Sequence, residues 1–240
     1  AIAREVYYSP LSMETLSQVR GQGMANQDDL KLLDVETAIS EAMLYKQHGG
    51  TSLVDATSIG IARDPKALVR ISRETGVNIV MGSSYYVAPS HPADMDSRSE
   101  DVIVEQIVSD ITVGVDDTGV RSGIIGEVGC SWPLTDNERK VLRASALAQR
   151  LTGAPLLVHP GRDESAPLEI IEVLAEAGAD LDRTIIGHLD RTVFLRDTLR
   201  SIAGSGCYME WDLFGQESSF YPANPNIDQP SDAKRMDDIA

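Results

Sequence analysis

The sequence predicts an α/β protein built as a (β/α)8, or TIM, barrel, and three observations predict it. Short apolar runs alternate with amphipathic helical stretches along most of the chain. The strand candidates SLVDA, VNIVM, GIIGEV, PLLVH and RTIIGH are near-continuous apolar runs, the pattern of parallel strands covered on both faces. Polar, ligand-type residues fall where these runs end, and barrels collect their chemistry at the C-terminal ends of strands.

The elements follow in order. Residues 1–30 form an irregular lead-in with Pro10, Gly21 and Gly23, and a short helix around Met13 to Arg20. Lys31 to Gln47 reads as a helix stopped by His48-Gly49-Gly50, and Thr51 to Thr57 as a strand. Asp64 to Thr75 is a helix with Asp64 as N-cap, Pro65 at its first position and Gly76 just past its end. Val77 to Met81 is the next strand, followed by a polar loop over Ala88 to Arg98 and a helix over Ser99 to Val113. Ser122 to Val128 is a strand. Thr135 to Leu151 is a helix opened by a capping box, Thr135 with Glu138 three residues on. Strands at Pro155 to Val158, Arg183 to Ile186 and Cys207 to Trp211 alternate with helices at Ala166 to Ala177 and Val193 to Ala203. A last helix begins near Asp232.

This makes six strands in a single barrel domain spanning residues 1–240. An open doubly wound sheet is the competing architecture. It wants a Gly-rich turn after its first strand, and the nearest match, Gly123 to Gly129, has the wrong spacing for GxGxxG and lies inside a strand. A nucleotide-dependent oxidoreductase is disfavoured on the same ground.

Composition narrows the function. The net charge is −16, which argues against a sequence-independent hold on nucleic acid or on an anionic membrane. The two cysteines, Cys130 and Cys207, are no disulfide framework and read as buried thiols. No apolar run approaches a bilayer span, and the expected location is cytoplasmic.

Glu127, His159 and His188 end three successive strands. Two imidazoles and a carboxylate suit Zn, Mn, Fe and related divalent ions, and three protein ligands leave a position open. Glu127 follows an apolar pair between glycines, and a carboxylate buried there needs a cation or hydrogen-bond donors. The alternative for each residue alone is an ordinary core or loop side chain.

The stretch IIGEVGCSWPLTDNERKVLRASALAQRLTGAPLLVHPGR, followed by TIIGHLDRT and GCYMEWDLFG, resembles the phosphotriesterase family of the amidohydrolase superfamily, and within it the phosphotriesterase-related subgroup. GGTSLVDATSIGIARDPKALVRISRETGVNIVMGSSYYV resembles the same family's second and third strand units. The resemblance implies a (β/α)8 barrel with a binuclear metal centre, two ions per full-length chain. Zn is the first expectation, with Mn, Co or Fe as alternatives. It implies that Glu127 bridges the two ions where phosphotriesterases proper carry a carboxylated lysine. His159 and His188 would bind the more exposed ion. A metal-bridging hydroxide would then cleave an ester, lactone, amide or phosphoester of a small molecule, a catabolic hydrolysis. The strand 1 His-x-His pair has no counterpart, since His48 sits at a helix end and His91 in a polar loop. The strand 8 aspartate, the family's catalytic proton acceptor, is also absent. The chain therefore reads as strands 2 to 7 of a longer protein.

Lesser candidates surround this set. Tyr86 matches a pocket-lining position of the family, or is a loop aromatic covering the barrel top. Arg162 binds an anionic substrate group, or pairs with Asp163 or Glu164. Asp190 and Arg191 orient His188, or pair with each other. Asp212 ends its strand and lines the pocket. The partner expected is a small-molecule substrate, with a homodimer left open. A rival function is a non-catalytic small-ligand-binding protein on the same scaffold.

Overall fold

The computed structural model describes residues 4–22, 26–217, 221, 224 and 226–240. Gly23 of the lead-in lies outside the described residues. The chain divides into two compact units, one of residues 1–38 with 214–240 and one of residues 39–213.

The first unit is helical rather than irregular at its start. It holds α1 (Arg4–Tyr8), α2 (Leu16–Gln22) and α3 (Gln27–Leu30). Asn26 explains the local order. Its buried side chain donates to the carbonyls of Val6 (2.6 Å) and Ser9 (2.9 Å) and accepts from the N–H of Asp29 (2.9 Å). The chain then enters α4 (Val35–Gln47), which starts four residues later than its apolar spacing suggests.

The second unit repeats strand and helix: β1 (Ser52–Asp55), α5 (Pro65–Thr75), β2 (Asn78–Met81), α6 (Glu100–Thr112), β3 (Ile125–Gly129), α7 (Asp136–Thr152), β4 (Leu156–His159), α8 (Ala166–Glu176), β5 (Thr184–Ile186), α9 (Leu189–Thr192), α10 (Arg196–Gly204) and β6 (Tyr208–Met209). The first unit closes with α11 (Asp232–Ile239). All strand pairs are parallel. β1 pairs with β2, and β3 to β6 pair in chain order. The backbones of Ser83 and Gly126 exchange hydrogen bonds and join the two sheets. These are six consecutive strands of a (β/α)8 barrel.

Local signals in the sequence account for most helix ends. The Asp64 carboxylate accepts from the N–H groups of Lys66 and Ala67 ahead of α5, and Gly76 ends that helix with φ 66°. The capping box of Thr135 and Glu138 starts α7. The core is the apolar layer between helices and sheet, with Ile103, Ile107, Leu142, Leu156, Ile170, Leu174 and Ile186 fully buried. β4 is buried along its whole length. β1 departs from expectation: it alternates exposed and half-buried, and Val54 is 55% exposed. Among the described residues its one strand partner is β2, so an apolar run that reads as doubly covered has an uncovered side. No helix among the described residues is long and apolar enough to cross a membrane.

Candidate metal centre

Glu127 lies within β3, His159 ends β4 and His188 follows β5 by two residues, so consecutive parallel strands deliver all three to one side of the sheet. Their ligand atoms lie within 4.8 Å of one another. His188 Nε2 is 2.9 Å from Glu127 Oε1 and 2.8 Å from His159 Nδ1, and His159 Nδ1 is 3.1 Å from Glu127 Oε2. Two imidazole nitrogens that close to each other and to a carboxylate need a shared proton or a cation between them. The donor set of two nitrogens and one oxygen fits a divalent transition ion. Among the described residues no other group of three such side chains converges this way.

The backbone supports the arrangement. His188 adopts φ 54° and ψ 34°, a left-handed conformation costly for a side chain of this size, and such residues concentrate at functional sites. Gly187 makes room beside it. A methyl group there would meet Glu210 Oε2 at 2.9 Å.

Electrostatics follow from the contacts. Burial raises the Glu127 carboxyl, but hydrogen bonds from His159 and His188 outweigh it and bring it down to about 2. Burial lowers His188, but bonds to Asp212 and then Glu127 outweigh it and lift it to about 9. Burial also holds His159 below the usual imidazole range, with Glu127 opposing.

The surrounding residues take partly different places from those the sequence suggested. Asp212 stands at the back of His188, with Oδ2 2.6 Å from Nδ1. This is the carboxylate–histidine arrangement that orients metal-binding imidazoles. The Asp190 carboxylate accepts from the N–H of Leu213 at 3.0 Å. Arg191 is buried and reaches His159, with Nη2 3.3 Å from Nε2. Tyr86 does reach the centre, its hydroxyl 3.2 Å from His159 Nδ1. His48 is exposed at its helix end and His91 contacts the Tyr86 carbonyl, so both have structural places.

A cavity of about 310 Å³ opens beside His159, lined by Val87, Pro89, Cys130, Ser131, Trp132, Gly161 and Arg162. Arg162 thus stands at the pocket. Asp163 accepts from Ser165 N–H, and Glu164 from Phe194 and Leu195 N–H. Both thiols are buried. Burial raises each above its usual range, with Ser205 opposing at Cys207.

Sequence reasoning missed Glu210. Burial, then the neighbouring Asp212 carboxylate, raises its carboxyl to about 6. A signal existed: Glu210 precedes Asp212 by two residues, and in extended chain i and i+2 share a face.

The model of the phosphotriesterase family matches residues 7–239. The chain belongs to the phosphotriesterase family. A phosphotriesterase-related protein of Nematostella vectensis is 48% identical over 231 residues, 95% of this chain and 66% of the relative. The human N-acetyltaurine hydrolase is 43% identical over 237 residues, 98% of this chain and 67% of that enzyme. The crystal structure of a resiniferatoxin-binding protein from Rhodobacter sphaeroides superposes with a TM-score of 0.93 at 37% identity, covering 98% of this chain and 65% of that one. The chain therefore spans about two thirds of the length of these phosphotriesterase-family relatives.

Proposed function

We propose that this phosphotriesterase-family chain belongs to a divalent-metal hydrolase that cleaves the amide or ester bond of a small acyl compound with an anionic tail. The observation that carries the reading is the convergence of Glu127, His159 and His188, backed by Asp212. Glu127, His159 and His188 would hold the ion. When bound, it supplies Lewis acidity, polarising a carbonyl oxygen and acidifying water.

The chain's own residues supply the rest. Glu127 is ionised at neutral pH and brings negative charge to the centre. Asp212 sets its negative charge against His188 Nδ1, and Nε2 faces Glu127 and His159. The Tyr86 hydroxyl and the Arg191 guanidinium both face His159 and limit how its ring can turn. Val87, Pro89 and Trp132 offer an apolar wall for an acyl group, and Arg162 a cation for the tail. Amide and ester substrates are preferred to phosphotriesters because Arg162 suits an anionic tail, and a relative named for N-acetyltaurine hydrolysis supports that choice.

The test uses the full-length protein: metal content, then release of taurine from N-acetyltaurine alongside a lactone and a phosphotriester. Bound divalent metal, hydrolysis abolished by chelation, and loss of both metal and rate in Glu127→Ala are expected. Metal-free protein that hydrolyses at the same rate, or a Glu127→Ala variant with wild-type metal and rate, would refute the proposal. A second reading, ligand binding without turnover, draws support from the solved neighbour named for resiniferatoxin binding. Tight binding with no cleavage of any of the three substrates favours it.

A further inference from the structure

Three loops wall the cavity beside His159, and the β4–α8 loop supplies Gly161 and Arg162. The β2–α6 loop supplies Val87 and Pro89, and the β3–α7 loop supplies Cys130, Ser131 and Trp132. A single buried carboxylate joins the latter two. Glu138, in the first turn of α7, has no solvent exposure. Its Oε2 accepts from the N–H of Thr135 at 2.9 Å, which completes the capping box. Its Oε1 faces away from that bond and accepts from the Ala88 N–H at 3.0 Å and from the Ser131 hydroxyl at 2.8 Å. Helix capping needs only the first oxygen. The second holds the β2–α6 and β3–α7 loops together.

Other bonds from the same turn reinforce the grip. Asn137 donates to the Asp96 carboxylate at 2.6 Å and Lys140 to the Met95 carbonyl at 2.7 Å, both farther along the β2–α6 loop. Within that loop His91 Nε2 lies 2.7 Å from the Tyr86 carbonyl, and Tyr86 reaches His159. The β2–α6 loop also packs directly on the end of β3: a methyl group on Gly129 would strike the backbone N of Val87 at 2.2 Å. Moving Ala88 therefore moves Val87 and Tyr86 against the cavity. Releasing Ser131 frees the turn that carries Trp132.

We infer that Glu138 is a positioning residue that sets the width of this cavity and so acts on substrate binding rather than on bond cleavage. The part concerning substrate rests on the hydrolase reading above. The clamp between the loops does not.

The experiment separates clamp from cap in the full-length protein. Glu138→Ala removes the carboxylate half of the capping box, the bond from Thr135 N–H, together with both loop bonds. Thr135→Ala removes the hydroxyl that caps the Glu138 N–H (3.2 Å) and leaves the loop bonds in place. The first readout is the 19F resonance of 5-fluorotryptophan at position 132, assigned by its loss in Trp132→Phe. Glu138→Ala should move it toward the position of free tryptophan, and Thr135→Ala should leave it in place. The second readout is kinetics on N-acetyltaurine. Glu138→Ala should raise KM by about tenfold or more with kcat within about threefold, and Thr135→Ala should change neither. If Glu138→Ala does not fold, Ser131→Ala, which cuts one loop bond and no cap, takes its place with a smaller shift. An unmoved resonance, or equal shifts in the Glu138 and Thr135 variants, overturns the clamp. A moved resonance in a protein without hydrolase activity keeps the clamp and removes the hydrolase reading.

Discussion

Replacing Asp110 by Leu should destabilise the strand-and-helix unit by about 3–5 kcal/mol, the usual cost of stranding one member of a buried ion pair. Asp110 has no exposed side-chain surface, and Arg63 retains 7%. The Asp110 carboxylate accepts from Arg63 Nη1 at 2.8 Å, from the Ser83 hydroxyl at 2.9 Å and from Gln106 Nε2 at 2.8 Å. At an effective dielectric constant near 20, unit charges at this separation attract by about 6 kcal/mol. Removing the carboxylate forfeits that attraction and leaves the guanidinium with the Gly82 carbonyl as a remaining partner. Partial hydration of the stranded charge returns some of the loss. Arg63→Met should cost less, because Asp110 keeps two hydrogen-bond donors. The double variant Arg63→Met/Asp110→Leu should fall well short of the sum, with a coupling energy of about 2 kcal/mol or more. Urea unfolding of the four proteins at neutral pH, followed by circular dichroism, measures this. A loss below about 1 kcal/mol for Asp110→Leu, or additivity to within about 0.5 kcal/mol, would refute the reasoning. The result bears on the centre because Ser83, held by Asp110, exchanges both backbone bonds with Gly126, next to Glu127.

Three further outcomes are expected. Asp212→Asn weakens the support of His188 and should lower Zn affinity of the full-length protein by about 10- to 100-fold in calorimetric titration; unchanged affinity would assign the orienting role elsewhere. At Glu138, burial raises the carboxyl but the donors of Thr135, Ala88 and Ser131 outweigh it and hold it below its ordinary 4.5. The stability it contributes is thus fully present above that value and lost as pH falls through the folded one, so Glu138→Gln should melt lower at neutral pH yet lose less than wild type between about pH 6 and pH 3. An equally steep acid limb in both proteins would sink that assignment. Asp64→Ala removes two N-terminal bonds of α5 and should cost about 1 kcal/mol in urea unfolding; a change below about 0.3 kcal/mol would show that those bonds are replaced by water.

Much of this architecture is legible in the sequence because the information is local. The Asp64-Pro65 start and Gly76 stop of α5, the capping box of α7 and the apolar runs of β3 and β4 each lie within a few residues of what they specify. The placing of His159 at its strand end is legible for the same reason, whereas Glu127 lies inside β3 and His188 two residues past β5. Parallel strands in chain order bring successive strand ends together without further information.

The rest depends on partners remote in sequence. Asp190 follows His188 by two residues and invites the role of its support, and nothing local reveals that the chain after β6 brings Asp212 to the imidazole. Glu138 reads as half of a capping box, and nothing local reveals that its other oxygen binds Ala88, fifty residues earlier. The same holds for the aim of Glu127 itself. Its N–H donates to the Ala56 carbonyl at 2.7 Å, and its carbonyl accepts from the Ser58 hydroxyl at 3.0 Å, sixty-nine residues away in sequence. These bonds lie in the chain that follows β1, whose side chains are exposed or half-buried and whose one strand partner among the described residues is β2. Glu127 is therefore held from a sparsely covered part of the sheet. Loosening β1 should be felt at Glu127 before it is felt at His159, whose strand is buried throughout and paired on both sides.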